Sequence, residues 1–393
     1  MDDQVEVAVK AAKKAFEESL EPIKPIPRED FFSSGSTLVD LACSGTLHGA
    51  FCKGKFFWMV GSSSSGKTWL TLNALAEAAI NPNFKEYDLV YNNAEDGALM
   101  DVQRYFGKSL AMRLRPPSFR PDGSPRYSRT VEEFYYQLDD RLTQVEKGKA
   151  PPFVELLDSF DALSSDYEAK KFKEHKRAHD KKVKKEDGQK EEKEKEEEEG
   201  ADKSPAGDYG DGKAKIHSRH MRGIIPRLRD TGSVLIGLSQ ERDNIGGGVW
   251  DPANVVAGGR ALKFYATWQL WSALGSAEFK SVNNTNRQVG ITSKIHVKKN
   301  RLSGKEWKIE IPIYWSYGID EIGSLVDFLV KEGRFKQESK SIVADIFGFK
   351  GLRERLIKKI EDEDLLFDLR QTVLEEWKAI EAACELQRKP RYT

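Results

Sequence analysis

The chain has 393 residues, with 63 Lys and Arg against 63 Asp and Glu, and 39% of its residues are hydrophobic. This length and apolar content are enough for a packed core, and they exclude collagen-like, disulfide-scaffold and wholly disordered chains. Taken alone, the zero net charge argues against a nucleic-acid-binding protein, because such proteins usually carry a basic excess.

The charge is, however, unevenly distributed along the chain. Residues 170–185 contain nine Lys and Arg and two acids, whereas residues 186–199 contain nine acids and three Lys. This charged insert has almost no apolar residues and predicts disorder, or a solvated helix at best. Two further segments, 213–229 and 293–309, each contain six Lys and Arg. A neutral total therefore does not exclude a nucleic-acid partner.

The N-terminal residues predict a helix followed by a stiff linker. Apolar residues recur at helical spacing through residues 3–20, and the proline-rich segment 21–27 follows. Such a unit suits docking onto a neighbouring subunit, although it can equally pack on its own domain. The acidic start is unlike a signal peptide, and no apolar stretch approaches the length of a membrane span. We therefore expect a cytoplasmic protein without membrane contact.

From residue 55 onward, strand and helix patterns alternate. The predicted strands are 55–60, 88–92, 152–158 and 233–238, and the predicted helices are 68–79, 98–106, 131–146 and 216–229, the last with a break near Pro226. A further strand begins at Ala261, residues 290–298 and 306–313 resemble a hairpin, and 325–331 and segments of 341–386 are predicted helices. This order predicts an α/β fold with a mostly parallel central sheet and a small C-terminal helical domain.

The strongest motif joins the first strand of this series to the first helix. It matches the phosphate-loop pattern, and its residues are Gly61, Ser62, Ser63, Ser64, Ser65, Gly66, Lys67 and Thr68. Glycines allow a tight turn whose backbone N–H groups point at phosphate oxygens, and the helix N-terminus adds positive charge. Lys67 then binds the β- and γ-phosphates, and Thr68 offers its hydroxyl to Mg²⁺. The sequence therefore predicts a nucleoside triphosphate site.

Two carboxylates are expected near this site. Asp158 ends the apolar run 152–158, at the position where an acid holds Mg²⁺ through water. Glu95 follows the strand 88–92, and it would lie at the same carboxyl edge of the sheet, where it can activate an attacking water. Glu155 is unexpected in a strand buried on both faces, and it predicts a sheet edge or the start of a strand.

Several segments together resemble the core of the RecA-type recombinases. Residues 31–78 are similar to the entry of that core, with a turn, a helix and then the phosphate loop. Residues 94–95 and 156–159 resemble its catalytic-glutamate and Walker-B motifs, and 258–266 (GGRALKFYA) resemble the segment after its second DNA-binding loop. The short N-terminal helix also resembles the bacteriophage UvsX-like branch of the family.

This resemblance implies a domain organisation. A RecA-like P-loop NTPase core would span 31–335, interrupted by the charged insert at about 166–215. An N-terminal helix and linker at 1–30 would dock onto a neighbouring subunit, and 336–393 would form the C-terminal helical domain. The family further implies ATP and Mg²⁺ as cofactors and a helical filament of identical subunits.

The resemblance also assigns roles to single residues. Glu95 corresponds to the catalytic base, and Gln240 corresponds to the residue that senses the γ-phosphate. Further positions correspond to contacts between subunits: Lys299 and Arg301, which would reach the ATP of the adjacent subunit, and Lys263 and Phe264, at the interface. Together with Lys67, Thr68 and Asp158, these residues would complete an ATPase site between two subunits.

Two DNA-binding loops follow from the same resemblance. The first would begin after Ser165 and end at 217–221, and the second would span 241–257. Basic side chains suit contact with phosphates, and exposed apolar or aromatic side chains can stack on or wedge between bases. The candidate DNA-binding residues are Arg219, His220, Met221, Arg222, Arg242, Ile245, Gly246, Val249, Trp250 and Arg260.

These features predict an ATP-dependent homologous-recombination protein that polymerises on single-stranded DNA and exchanges strands with double-stranded DNA. Single-strand-binding and mediator proteins would be its partners, in the host cytoplasm if a phage encodes it. Two alternatives stay open, a RecA-fold replicative helicase or motor and an ATP-binding mediator without strand exchange. Two departures from the family pattern leave room for the mediator: the charged insert lies where the first DNA loop belongs, and Gln269 replaces an interface Arg. Val102 stands where a stacking aromatic is expected near the adenine, and Tyr105 can substitute for it.

Overall fold

The computed structural model describes residues 25–97, 100–188, 211–243, 254–256, 259–389 and 391. The predicted N-terminal helix at 3–20, the acidic half of the insert from residue 189 and most of the predicted second DNA loop lie outside these ranges. Within residues 181–188 only the backbone is described.

Ten α-helices occur in the described ranges. They are α1 (Thr37–Ser44), α2 (Lys67–Ile80), α3 (Val102–Arg113), α4 (Val131–Glu146), α5 (Asp166–Gly188), α6 (Asp211–Thr231), α7 (Gly259–Tyr265), α8 (Glu321–Lys331), α9 (Arg353–Asp362) and α10 (Leu366–Ala383). Among the described residues, no helix is both long and apolar enough to cross a membrane.

The same ranges contain seventeen strands. They are β1 (Phe31–Phe32), β2 (Phe51–Cys52), β3 (Phe56–Gly61), β4 (Asp88–Asn93), β5 (Leu114–Arg115), β6 (Ser118–Phe119), β7 (Pro125–Arg126), β8 (Phe153–Asp158), β9 (Val234–Asp243), β10 (Asn254–Val256), β11 (Trp268–Val282), β12 (Thr285–Asn300), β13 (Lys308–Tyr314), β14 (Gly318–Ile319), β15 (Lys336–Glu338), β16 (Ser341–Ala344) and β17 (Phe349–Gly351).

A ten-stranded sheet organises the molecule. Its strands follow the order β14-β13-β12-β11-β3-β9-β8-β4-β5, and β10 pairs with the distal end of β9. The neighbours from β11 to β5 in this order are parallel, whereas β11, β12, β13 and β14 are joined by antiparallel pairing. The predicted mostly parallel sheet is thus confirmed for the half that carries the phosphate loop.

Two apolar clusters cover the two faces of this sheet. Successive residues of β3 alternate between them, because side chains along a strand point to opposite faces. Phe57 and Met59 join the cluster that contains α1, α2 and α8. Phe56, Trp58 and Val60 join the cluster formed with α4 and α6. Since β3 and β8 are enclosed on both faces, their sequences are mostly apolar, whereas β4 (DLVYNN) has a shorter apolar run.

Several predicted elements differ from the observed ones. Residues from Ala261 form the end of α7 before β11 begins at Trp268, so the predicted strand start is wrong. The segment GRALKFY contains good helix formers, and it is too short for its apolar residues to distinguish a helix from a strand.

Helix α6 continues through Pro226 without the predicted break, and Pro226 is exposed to solvent. Helix α3 begins at Val102, where Asp101 caps it by accepting from Arg104 N at 3.0 Å.

The predicted C-terminal helical domain contains strands as well as helices. Strands β15, β16 and β17 form a small antiparallel sheet, and α9 and α10 follow. Apolar side chains of this segment, including Ile342, Leu356 and Trp377, belong to the same buried cluster as α1 and α8. The short strands lack the long alternating pattern that makes a strand recognisable in sequence. The boundary at residue 336 stays a prediction.

Candidate functional site

The phosphate loop connects β3 to α2, and close approach to other strands fixes its shape. A Cβ at Gly61 would lie 2.1 Å from the backbone oxygen of Ser272 in β11, so only glycine fits. Gly66 has a φ of +90°, and a Cβ there would lie 2.6 Å from Ile313 Cδ1. Both glycines of the motif are therefore required by the backbone itself.

Serines anchor the loop to the antiparallel half of the sheet. Ser65 Oγ lies 2.7 Å from Ser272 Oγ of β11, and Ser293 Oγ of β12 donates to the backbone oxygen of Ser65 at 2.7 Å. Ser63 and Ser64 are exposed at the tip of the loop. The sequence motif identified the loop, but it gave no sign of Ser272 and Ser293, which lie more than 200 residues away.

The ammonium group of Lys67 lies inside the loop. Its Nζ donates to the backbone oxygens of Gly61 at 2.9 Å and of Ser62 at 2.7 Å. Burial lowers the pKa of Lys67, and the nearby carboxylates of Asp158 and Glu95 oppose this shift. A buried cation thus lies at the N-terminus of α2, where the helix dipole also favours an anion.

Thr68 and Asp158 form an oxygen pair beside the loop. Thr68 Oγ1 donates to Asp158 Oδ2 at 2.8 Å, and the hydroxyl of Tyr91 in β4 lies 3.2 Å from the same oxygen. Burial raises the pKa of Asp158 to about 6, against the hydrogen bond from Thr68. A carboxylate and a hydroxyl are hard oxygen donors that fit a divalent cation such as Mg²⁺ completed by phosphates and water.

Glu95 and Gln240 meet at the same edge of the sheet. The backbone N–H of Glu95 donates to the backbone oxygen of Asp158 at 2.9 Å. The side-chain amide of Gln240 donates to Glu95 Oε1, and its backbone N–H donates to Asp161 Oδ2 at 2.7 Å. The carboxyl ends of β4, β8 and β9 therefore bring together three predicted residues, Glu95, Asp158 and Gln240.

Lys299 and Arg301 lie at the end of β12, away from the phosphate loop, and their side chains contact the C-terminal end of α7. Lys299 Nζ donates to the backbone oxygens of Lys263, of Phe264 at 2.9 Å and of Ala266 at 2.7 Å. Arg301 Nη2 donates to the backbone oxygen of Phe264 at 2.8 Å. Burial and the neighbouring cations Arg301 and Lys263 lower the pKa of Lys299 to about 8. These cations cap the negative end of a helix.

Sheet register separates this pair from the phosphate loop of its own chain. Lys299 is aligned with Gln269 at the start of β11, and Gln269 is aligned with Trp58 of β3. Gly61 of the phosphate loop is aligned with Ser272, three residues further along β11. Gln269 is itself buried in the sheet.

Helix α6 contains the residues predicted for the end of the first DNA loop. Arg219 and Arg222 are exposed on this helix, and the ring of His220 stacks on Tyr135 at 4.7 Å. Met221 is fully buried in the cluster between α4 and α6. The prediction that Met221 presents its side chain to DNA is therefore wrong for this conformation, because the residue points into the core.

Sequence reasoning missed a buried polar pair beneath these residues. The hydroxyl of Tyr135 in α4 lies 2.8 Å from Nδ1 of His217 in α6. Burial, together with nearby Lys213 and His220, lowers the pKa of His217 to about 3, so the imidazole is neutral. The only sequence signal was the spacing of His217 and Met221, four residues apart and therefore on one helix face.

The second predicted DNA loop is described only at its base. Strand β9 runs to Asp243, beyond the predicted end at Leu238, and Arg242 of β9 is paired with Val255 of β10. The predicted contacts Ile245, Gly246, Val249 and Trp250 lie outside the described residues. After the loop, Arg260 and Lys263 of α7 are exposed, and the Phe264 side chain is 64% exposed.

The predicted adenine contact falls near a small aromatic group. The ring of Tyr105 lies 5.1 Å from that of Trp69 in α2, and the guanidinium of Arg104 lies 5.1 Å from the Tyr105 ring. Both Val102 and Tyr105 are half-buried. Tyr105 therefore has a partly accessible ring face on the helix that follows Glu95.

Comparison with known proteins agrees with this arrangement. A family model described as the RecA N-terminal domain matches residues 197–320. RecA of Chlorobaculum tepidum is 26% identical over 349 residues, which cover 87% of this chain and 82% of the relative. RecA of Gluconacetobacter polyoxogenes is 26% identical over 316 residues, which cover 79% of this chain and 72% of the relative.

A shorter match is closer in sequence. RecA of Lactococcus lactis subsp. cremoris is 31% identical over 136 residues, which cover 33% of this chain and 35% of the relative. The chain is similar to the RecA-type recombinases over most of its length. The resemblance found in sequence is thus confirmed, and the α/β fold is a RecA-like core.

Proposed function

We propose that this protein is an ATP-dependent recombinase that polymerises on single-stranded DNA and promotes homologous pairing and strand exchange. The observation that carries the proposal is the convergence of Lys67, Thr68, Asp158, Glu95 and Gln240 at the carboxyl edge of the parallel sheet. This edge is where ligands bind in open α/β sheets. The long matches to two RecA proteins support the same reaction class.

The phosphate loop would bind ATP. Lys67 would exchange its two backbone acceptors for β- and γ-phosphate oxygens, and Thr68 with Asp158 would hold Mg²⁺. Bound Mg²⁺ supplies positive charge that neutralises the phosphates. Glu95, exposed and next to Asp158, would orient and deprotonate the attacking water.

Gln240 would connect the nucleotide to DNA. Its side chain contacts Glu95, and its own strand β9 continues into the hairpin with β10 at the base of the second predicted DNA loop. A γ-phosphate that attracts the Gln240 amide would therefore act on the loop directly, in the manner of switch segments in GTPases. Arg219, Arg222 and Arg260 are exposed basic residues that suit contact with the DNA backbone.

The neighbouring subunit would complete each ATP site. Lys299 and Arg301 cannot serve the phosphate loop of their own chain, since sheet register places them beside the start of β11. In a filament they would approach the ATP of the next subunit and neutralise charge that develops during hydrolysis. Single-strand-binding and mediator proteins would load the filament in the cytoplasm.

An ATPase assay tests the proposed chemistry. Single-stranded DNA should strongly stimulate hydrolysis by the wild-type protein. Lys67→Ala should abolish it, and Glu95→Gln should lower the DNA-stimulated rate by about 100-fold or more, because a positioned general base contributes at least that much. Glu86→Gln is the matched control, since Glu86 is exposed beside the opposite end of β4. ATPase activity that does not respond to DNA would contradict the proposal.

A strand-invasion assay separates strand exchange from the alternatives. The wild-type protein with ATP should form joint molecules between single-stranded DNA and homologous duplex, and electron micrographs should show helical filaments. Closed rings with unwinding activity would indicate a helicase or motor. DNA-stimulated ATPase without joint molecules would indicate a mediator.

A further inference from the structure

The insertion between β8 and α6 begins with a helix that is exposed to solvent. In α5, the Lys170, Lys173, Lys176 and Arg177 side chains are exposed, and even Phe172 is 70% exposed. Residues 170–185 carry nine Lys and Arg and two acids. A helix that is polar on all sides buries no core face, so packing does not explain its composition.

The base of α5 is nevertheless firmly attached to the core. Ser165 and Glu168 form a capping box: the Ser165 N–H donates to Glu168 Oε2 at 3.0 Å, and the Glu168 N–H donates to Ser165 Oγ at 3.2 Å. Lys213 at the start of α6 then joins both sides of the insertion. Its Nζ lies 3.1 Å from Glu168 Oε2 and donates to the backbone oxygen of Leu163 at 2.8 Å.

Helix α5 therefore leaves the core beside the start of α6, which itself packs on α4. We refer to the contacts of Lys213 with Glu168 and Leu163 as the Lys213 clamp. Beyond the clamp, α6 exposes Arg219 and Arg222. Leu163 of the clamp follows Asp161, which accepts from the backbone N–H of Gln240, so both helices start near the nucleotide site.

Two acids, Glu174 and Asp180, are interspersed among the cations of residues 170–185. Within the part of the chain that the structure describes, no ion pair joins Lys170, Lys173 or Lys176 to a carboxylate. Lys170, Lys173 and Arg177 follow a spacing of three and four residues, which places them on one face of a helix. The same spacing continues in the sequence to Lys181 and Lys184. At about 1.5 Å per residue, this row of positions spans roughly 21 Å.

We propose that α5 is a cationic arm that contacts the phosphate backbone of DNA, independently of base sequence. The inference rests on the proposed recombinase function, and it assigns the phosphate contact within the first predicted DNA loop to the basic face of this one helix. A row of Lys and Arg along one helix face matches the regular negative charge of a phosphate backbone. Arg219 and Arg222 add two exposed cations on α6, the helix that the Lys213 clamp joins to α5.

The test compares two triple variants of equal charge. The arm variant is Lys170→Gln, Lys173→Gln and Arg177→Gln. The control variant is Lys85→Gln, Lys147→Gln and Lys149→Gln, whose exposed side chains lie just before β4 and β8, at the opposite edge of the sheet. Gln and Lys have similar helix propensity, so α5 should remain helical. Thermal unfolding confirms that both variants fold.

The readout is the salt dependence of single-stranded DNA binding. Each lost phosphate contact should reduce the slope of log K against log salt by about 0.7, so three contacts reduce it by roughly 2. We expect this reduction, with an affinity at least tenfold weaker at moderate salt, in the arm variant only. The single substitution Lys173→Gln should reduce the slope by about 0.7. Equal slopes for the arm and control variants would overturn the inference.

Two further outcomes separate the inference from its premise. If the wild-type protein does not bind single-stranded DNA, the proposed function itself fails. If the wild-type protein binds DNA but the arm variant behaves as the control, only the arm inference fails. Polyglutamate provides the last comparison. If the arm variant loses polyglutamate binding and keeps its DNA slope, the arm contacts an acidic protein and the inference is wrong.

Discussion

At the scale of single residues, Glu155 shows how a buried charge is accommodated in a parallel sheet. It is fully buried in β8, between β4 and β9, so the prediction that it marks an edge or a strand start is wrong. Arg141 of α4 forms an ion pair with its carboxylate and donates to the backbone oxygen of Pro117 at 2.7 Å. Burial raises the pKa of Glu155, and Arg141 opposes this shift.

Breaking this ion pair should destabilise the fold. Arg141→Met leaves the Glu155 carboxylate buried without its counter-ion, which should lower the free energy of unfolding by about 3–5 kcal/mol. Adding Glu155→Leu should recover most of the loss, because an apolar pair replaces a buried charge. Denaturant unfolding measures both effects.

A surface pair provides the control for this experiment. Arg126 pairs with Glu133 at 2.7 Å, and its side chain is largely exposed. Arg126→Met should cost less than about 1 kcal/mol, as exposed ion pairs usually do. An Arg141→Met variant as stable as Arg126→Met would show that Glu155 does not depend on Arg141.

At the scale of elements, α7 depends on cations from a strand that is distant in sequence. The helix spans only Gly259–Tyr265, and a helix this short is unstable without external contacts. Lys299 satisfies carbonyl groups at its C-terminal end, and Arg301 adds one more contact. The residues predicted to contact ATP across the interface thus also stabilise the helix that carries Phe264.

Removing the Lys299 ammonium should loosen α7 even without nucleotide. Lys299→Met eliminates the hydrogen bonds to the helix carbonyls, so backbone amides of residues 259–266 should exchange hydrogen at least tenfold faster. Lys298→Met is the control, because the Lys298 ammonium lies 3.5 Å from the Trp271 ring centroid instead. Hydrogen-exchange mass spectrometry of the protein without ATP measures this. Unchanged exchange in Lys299→Met would limit Lys299 to a role in nucleotide contact.

The elements that were predicted correctly share a physical reason. Strand β3 is a continuous apolar run, β4 and β8 contain shorter ones, and α4 has a regular apolar face, so each is specified by local pattern. Helix α7 has seven residues, and strands β15 to β17 have three or four each, which is too short for a recognisable hydrophobic pattern. Their structure depends on distant contacts such as the Lys299 cap, which sequence spacing does not contain.

The residues of the candidate site likewise fall into two groups, those that local sequence pattern predicts and those that only the order of strands brings together. The phosphate loop, Asp158 and Glu95 were identified because each follows a strand directly, and parallel strands place their carboxyl ends together. Tyr91, Ser272 and Ser293 were missed, since their contacts with Asp158 and the loop arise only from the order of strands in the sheet. Met221 was misplaced because a sequence motif does not show which face of a helix is buried.

At the scale of the whole molecule, exposed apolar residues indicate where subunits would meet. The Phe264 side chain is 64% exposed on α7, beside the cations that the proposed function places at the next subunit. In the described part of the chain, the Phe264 ring packs edge-on against Tyr265 at 5.1 Å and lies 5.8 Å from the Arg301 guanidinium. An exposed aromatic flanked by cations is typical of an interface residue.

Assembly should therefore depend on Phe264. Phe264→Glu introduces a charge at the proposed interface, so with ATP and DNA the variant should remain monomeric and lose at least 90% of the DNA-stimulated ATPase activity. Phe367→Glu is the matched control, since the Phe367 side chain is 69% exposed on α10. Sedimentation velocity measures the assembly. Normal filaments from Phe264→Glu would exclude this residue from the interface.

The Lys213 clamp has a consequence for how this protein can change over time. Because the two ends of the insertion are held together at the core, the segment between them is a self-contained cassette. Closing a loop of twice the length costs only about 0.6 kcal/mol more, so the cassette can grow, shrink or be exchanged without disturbing the ATPase. Substitutions within the insertion would therefore change the proposed DNA contact and leave Lys67, Asp158 and Glu95 in place.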